Sequence, residues 1–328
     1  MPFSSILGHE SIIAGLRAAH DRGRVPHAYL FSGPEGIGKQ LVATAFAQLI
    51  NCTDPQPSTD GTEPCGVCRP CRMIEKGTHP DLLTLEPDGR FIKVDRIREM
   101  TKTLRFPPVE AASRVVIFHS AEAMNDTSAN AILKTLEEPS ARNTFILMSP
   151  QPNRLLPTIL SRCQQVRFTA LPRAIVADYL EREHGLDPAA ADEVAGMSHG
   201  SLGDAVRLVD PELTEQRGKW LDVLDKLPGM GPTQLMDLAE ALAADKASLR
   251  SILDALRMGL RDRMLRAAGA REDQLTFRSR TPEQAMTPEA TLEALGCIDE
   301  AEESLLGNVN ARMVGEHMLM GLRRAIRR

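Results

Sequence analysis

Aromatic residues are scarce in this 328-residue chain, which has nine Phe, two Tyr and one Trp. A surface that reads single strands by stacking base after base needs more of them, so that class is disfavoured and aliphatic helices must supply most of the core. Positive charge is also short, with 39 Lys and Arg against 44 Asp and Glu, a formal net charge of −5. No global field would draw the chain onto nucleic acid unaided, so any DNA contact is local or shared. The longest aliphatic run, Val115-Val116-Ile117-Phe118, falls far short of the roughly 20 residues that a membrane span requires. The N-terminus lacks a charged start followed by an apolar core, and the expected location is cytoplasmic. There is no low-complexity block or short repeat, which excludes disordered and fibrous classes. The length suggests two or three domains.

Cysteine is rare but clustered. Of six, Cys52, Cys65, Cys68 and Cys71 fall within one short stretch, with spacing C-x12-C-x2-C-x2-C. Two-residue gaps let the chain turn so that successive thiolates converge on one ion at about 2.3 Å, which is the requirement of tetrahedral zinc. Four soft ligands leave no open position, so the site is structural. Thiol exchange needs only a pair. The stretch from Asp54 to Gly61 reads as a loop that gains order when metal pins its ends. His79 is a less favoured substitute ligand, while Cys163 and Cys297 read as ordinary buried thiols.

Tyr29-Leu30-Phe31 leads into Gly33-Pro34-Glu35-Gly36-Ile37-Gly38-Lys39 and then a helical pattern, so strand, glycine loop and helix come in the order of a phosphate loop. The glycines let backbone N–H groups cradle phosphates, and Lys39 reaches the terminal ones. The next position should carry a hydroxyl for magnesium, but it is Gln40. The partner strand should end in carboxylates, whereas Arg114–Phe118 runs into His119-Ser120. Glu122 comes two residues late and is expected to point elsewhere. Gly33, Gly36, Gly38, Lys39 and Gln40 thus form a nucleotide-binding loop that is either functional or vestigial, and ATP binding is left open.

The coarse pattern to about residue 169 alternates. Helices are expected at Glu10–Ala19, after the loop, Val94–Leu104 and Ser128–Glu137. Strands are expected at Ala28–Ser32, Leu82–Glu86, Arg114–His119, Thr144–Ser149 and Gln164–Phe168. Such alternation predicts a parallel α/β sheet. Pro107-Pro108 and Pro139 are natural breakers. Helices at Arg173–His184 and Pro188–Met197 begin a small helical domain ending near Leu208, and everything beyond Pro211 is helical. Leu249, Leu253, Leu256, Leu260 and Met264 form one apolar face, and Met313, Leu319, Leu322 and Ile326 another. Residues 269–287 read as a loop. Arg323, Arg324, Arg327 and Arg328 read as a solvated helix end complementing the dipole.

These residues resemble the clamp-loader subunits of bacterial DNA polymerase III, of the AAA+ class. The resemblance rests on Gly8-His9, Pro26-His27-Ala28-Tyr29-Leu30-Phe31 with its loop, the cysteine cluster, Ser128 through Pro139, Ile159-Leu160-Ser161-Arg162-Cys163, and Asn308-Val309-Asn310 with Glu316. It implies a RecA-like AAA+ domain with the zinc insertion (1–170), a helical lid (171–210) and an all-α collar (211–328). It also implies that Arg162 is an arginine finger entering a neighbour's ATP site. The implied partners are the motor subunits (gamma/tau), the delta subunit, and, through the complex, the sliding clamp and primed DNA. Motor members carry Asp-Glu after the strand and a sensor arginine in the lid, where this chain has His119-Ser120 and Gly203. With Gln40 these departures imply a non-motor finger donor with little ATPase activity of its own. The alternatives are a motor with an unusual metal shell, or a zinc-dependent interaction module.

Overall fold

The computed structural model describes residues 2–89, 91–138, 142–244, 249–277, 286–306 and 309–327. Pro139, Asn308, Arg328 and residues 278–285 of the expected loop lie outside these. The chain divides into two compact units, Met1–Leu171 and Pro172–Arg328.

The first unit is built on a parallel five-stranded sheet of β1 (Ala28–Ser32), β4 (Leu82–Leu85), β5 (Arg114–Phe118), β6 (Asn143–Ser149) and β7 (Gln164–Arg167), in the order β4-β5-β6-β1-β7. The strands β2 (Gln56–Ser58) and β3 (Gly61–Glu63) form a separate hairpin. Its helices are α1 (Glu10–Asp21), α2 (Lys39–Asn51), α3 (Arg69–Glu75), α4 (Val94–Thr103), α5 (Asp126–Glu137) and the short α6 (Pro157–Leu160). Both β5 and β6 are buried end to end, as expected of strands covered on two faces. Alternate residues serve opposite cores: Tyr29, Phe31, Val115 and Ile117 pack with Leu16 and Phe46, while Leu30, Val116, Phe118 and Leu147 pack with Ile97, Ile132 and Leu136. The predicted strands and helices are present, with ends shifted by one or two residues. Helix α5 starts before Ser128 because the Asn125 side chain accepts the Ser128 amide at 2.9 Å and caps the helix there. The expected loop from Asp54 to Gly61 instead contains most of the β2–β3 hairpin.

Arg114 and Asp81 form a fully buried ion pair at 3.1 Å, 2% and 1% exposed. The guanidinium also donates to the carbonyls of Thr103, Phe106 and Pro107. The carboxylate accepts the amides of Val109, Glu110 and Ala111. Every strong donor and acceptor of the pair is thus matched, which buried charge requires. Burial raises the Asp81 pKa, but these hydrogen bonds outweigh it and hold the group below its ordinary value.

The second unit is helical: α7 (Arg173–His184), α8 (Pro188–Met197), α9 (Leu202–Leu208), α10 (Pro211–Lys226), α11 (Pro232–Ala244), α12 (Leu249–Ala267), α13 (Pro288–Leu306) and α14 (Ala311–Ile326). Arg173 of α7 clasps both carboxylate oxygens of Asp192 at 2.8 Å and donates to the Leu275 carbonyl at 2.7 Å. Met197 of α8 packs with Leu221, Ala255, Met258 and Phe277. The expected face on α12 is in the core at Leu253, Leu256 and Leu260, with Leu249 partly buried against it. On α14, Leu319, Leu322 and Ile326 are buried, but Met313 is 65% exposed and Val314 and Met318 take the inward positions. Six residues turn a helix by about 240° beyond one full turn, so Met313 cannot share a face with Leu319. Leu275, Thr276 and Phe277, expected as loop, are buried, and Asp262 accepts the Thr276 and Phe277 amides. Arg323 and Arg327 are not simply solvated, because they donate to the carbonyls of Met230 and Pro228. No described helix is long and apolar enough to cross a membrane.

Arg114→Ala would strand the Asp81 carboxylate in the interior and is expected to cost about 3–5 kcal/mol in chemical denaturation near neutral pH. Because the Asp81 pKa is depressed on folding, its contribution is present above about pH 4 and lost on further acidification. The variant's deficit should therefore shrink at low pH, and a pH-independent deficit would contradict this assignment.

Candidate functional site

The glycine loop springs from the centre of the sheet. Gly33 donates its amide to the Ser149 carbonyl, and its φ is 142°. A Cβ there would lie 2.5 Å from the Phe168 carbonyl oxygen, so only glycine fits. Gly36 and Gly38 have φ of 69° and 104°, and Gly38 stands at the N-cap of α2. Lys39 is buried and donates to the carbonyls of Gly33 at 2.6 Å and Pro34 at 2.5 Å. Burial pushes its pKa down, while Glu35 and Glu122 push it up. The Glu122 Oε2 is buried without a hydrogen-bond partner among the described residues.

Sequence reasoning also missed His9, whose Nε2 lies 2.7 Å from the Ile37 carbonyl and whose ring packs edge-on against Phe168. Both Gly8 and His9 have positive φ, so this turn is shaped to set the histidine on the loop. The Gly8-His9 pair itself was the available signal.

The positions expected to handle magnesium offer poor ligands. Gln40 is exposed beside Lys39. At the end of β5 the His119 amide donates to the Leu85 carbonyl, and its ring lies 3.7 Å from Glu86. Burial lowers its pKa, with Glu86 opposing, so it favours neutral imidazole. Ser120 follows with φ of 53°. Magnesium prefers carboxylate, hydroxyl and water oxygens.

The four clustered cysteines do come together, with all Sγ atoms within 4.8 Å of one another. A tetrahedron with metal–sulfur bonds of about 2.3 Å has edges of about 3.8 Å, and Cys52 and Cys68 are 3.9 Å apart. The Cys65 amide donates to the Cys52 sulfur and the Cys68 amide to the Cys65 sulfur, both at 3.3 Å. Such N–H donors favour thiolate. Burial raises the Cys68 pKa, but hydrogen bonds from Cys71 and Thr53 bring it down to about 6. Cys52 and Cys71 are raised, chiefly by burial. The set fits a zinc ion. His79 is not among the gathered ligand atoms, and its Nδ1 accepts the Asp81 amide. Cys163 is buried, its thiol pushed up to about 11, whereas Cys297 is only half-buried.

The cluster is tied to its surroundings at two points. Gln48 of α2, wholly buried, donates to the Cys71 carbonyl at 2.7 Å. Glu63 of β3 accepts the amides of Phe3 and Ser4 and pairs with Arg17 of α1.

Arg162 follows α6 and lies just before β7. Its side chain is 31% exposed, pairs with Glu137 at the end of α5, and donates to the Thr158 carbonyl at 2.8 Å. Its neighbour Cys163 is buried in the core. A guanidinium held from two sides on a short anchored segment is an ordered cation at the surface.

A family model described as DNA polymerase III, delta subunit, matches residues 8–172. The DNA polymerase III subunit delta-prime of Bacillus subtilis is 32% identical over 92% of this chain and 92% of its own length. That of Pseudomonas aeruginosa is 39% identical over 63% of this chain, a match spanning 62% of the Pseudomonas protein. The DNA polymerase III subunit tau of Escherichia coli is 35% identical over 66% of this chain and 34% of its own length.

Titration of the reduced chain with cobalt(II) is expected to give the intense ligand-field bands of a tetrahedral thiolate site at one equivalent, displaced by zinc and lost in Cys71→Ser. Weak octahedral bands, or bands indifferent to Cys71→Ser, would contradict a four-cysteine site.

Proposed function

The chain belongs to the DNA polymerase III delta-prime family, and on that premise we propose that it is a non-motor subunit of the clamp loader that donates Arg162 to an ATP site on a neighbouring subunit. The observation that carries this reading is the ordered, partly exposed guanidinium of Arg162 between α6 and β7, in the setting Ser161-Arg162-Cys163. A cation supplied in trans stabilises charge on the transferring phosphoryl group, and a fixed position spares it an ordering cost at the moment of reaction.

The chain's own loop supports the complementary half of the proposal. Hydrolysis needs a hydroxyl and a carboxylate around magnesium, and Gln40, His119 and Ser120 stand at those positions. ATP binding at Gly33, Gly36, Gly38 and Lys39 is compatible with this division of labour, because a bound nucleotide without its metal shell would hold a conformation without turning over. Zinc on Cys52, Cys65, Cys68 and Cys71 is structural, joining the insertion to α1 and α2. In this reading residues 1–170 are the RecA-like AAA+ domain, 171–210 the lid and 211–328 the collar through which the chain assembles with gamma/tau and delta subunits in the cytoplasm. The sliding clamp and primed DNA are met through the complex.

The Glu122 Oε2, buried without a hydrogen-bond partner among the described residues and on a group whose charge favours protonated Lys39, favours a second reading, in which the chain hydrolyses ATP with a displaced carboxylate.

The test is single-turnover hydrolysis by the reconstituted complex with clamp and primed DNA. Arg162→Ala in this chain is expected to slow the adjacent site by about 10³–10⁵, seen as one fewer ATP hydrolysed in the fast phase with assembly intact. Lys39→Ala is expected to leave that phase unchanged. The opposite pattern would overturn the finger and establish the motor.

A further inference from the structure

A groove of about 550 Å3 runs between α1 and the edge of the sheet at β7. It falls in the size range of built ligand sites. Three features of its lining require a common explanation.

Charge is the first. The lining includes Arg22, Arg24 and Arg167 and no carboxylate. All three arginines are exposed, and none is in an ion pair among the described residues. The second is Tyr29, on the floor, which is 3% exposed and whose hydroxyl is buried without a hydrogen-bond partner among the described residues. Such a group in a native protein calls for a partner. The third is the strand edge itself. β7 pairs with β1 and with no other described strand. The Phe168 amide donates to the Ser32 carbonyl, and the Val166 carbonyl accepts from the Ser32 hydroxyl. By alternation the main-chain groups of Gln165 and Arg167 face outward.

We propose that this groove binds an extended acidic segment of a partner protein, which adds to β7 as a further strand and inserts one side chain beneath α1 toward Tyr29. A strand laid against β7 directs alternate side chains to the face that α1 covers. There Gly15, Ala18 and Ala19 line the groove and leave the helix thin. Acidic residues flanking the inserted side chain meet the three unpaired arginines. Protection of a free edge by charge accounts for Arg167 alone, and for neither the groove nor the unpartnered hydroxyl. A small anion would satisfy the arginines but would leave the strand edge unused. This inference is independent of the finger role of Arg162.

The test is selection of a displayed random heptapeptide library on the full chain, with the affinity of recovered peptides measured by fluorescence anisotropy. Recovered peptides are expected to be acidic, to bind about tenfold more weakly to the Arg24→Glu/Arg167→Glu double variant, and to bind several-fold more weakly to Tyr29→Phe. They should also protect the amides of Gln165 and Arg167 from hydrogen exchange. Both variants keep the fold's packing, checked by thermal melting. Absence of enriched peptides, or peptides that bind wild type and both variants alike, would overturn the proposal. So would AMP or inorganic phosphate shifting the Tyr29 resonances where peptides do not.

Discussion

Strand β1 is hydrogen-bonded on both edges, to β6 and to β7, and the functional geometry of the first unit hangs from that constraint. Because β1 is central, the loop that follows it emerges from the middle of the sheet. Its first residue is still held by the ladder, with the Gly33 amide on the Ser149 carbonyl. Because β7 is the last strand, the segment that leads into it passes at the sheet's edge, where Arg162 is exposed while Cys163 is already in the core. The same edge leaves one side of β7 without a strand partner among the described residues. A glycine loop, a surface cation and a sheet edge thus follow from one strand order.

The cysteine cluster extends this arrangement. Four thiols gather where α2 ends, and the hairpin beside them reaches back through Glu63 to Arg17 and the amides of Phe3 and Ser4. The N-terminal segment leads to Gly8 and His9, and His9 rests on the Ile37 carbonyl of the glycine loop. Ion binding to thiolates is strong, and in a small insertion it contributes directly to folding. In the proposed reading a zinc ion on these thiols is what lets the insertion brace α1 and α2.

Much of this was legible in the sequence, for identifiable reasons. Parallel strands buried on both faces read as unbroken aliphatic runs, which is why β1 and β5 were found to within a residue. The cysteine spacing foretold that the four thiols would gather, because two-residue gaps bring successive side chains to one point. What escaped depended on tertiary position. Glu122 looked displaced when counted from the strand end, and only the fold shows that its Oε2 is buried and that its charge favours protonated Lys39. Met313 matched an apolar pattern but sits about 120° around the helix from Leu319, which lies on the face to which it was assigned. The β2–β3 hairpin carries polar residues and gains its order from Arg17 and from the cysteines around it, so no local pattern announced it. The Tyr29 hydroxyl and the unpaired arginines beside it are invisible until α1 is laid against the sheet.

The claim on which the account turns is that Arg162 completes a site it does not belong to. The most direct measurement is a structure of the assembled complex, with clamp, primed DNA and a non-hydrolysable ATP analogue. The account predicts the Arg162 guanidinium within hydrogen-bonding distance of the terminal phosphate held by a neighbouring subunit. An Arg162 still paired with Glu137 and turned away from that phosphate, in a fully assembled ring, would contradict it.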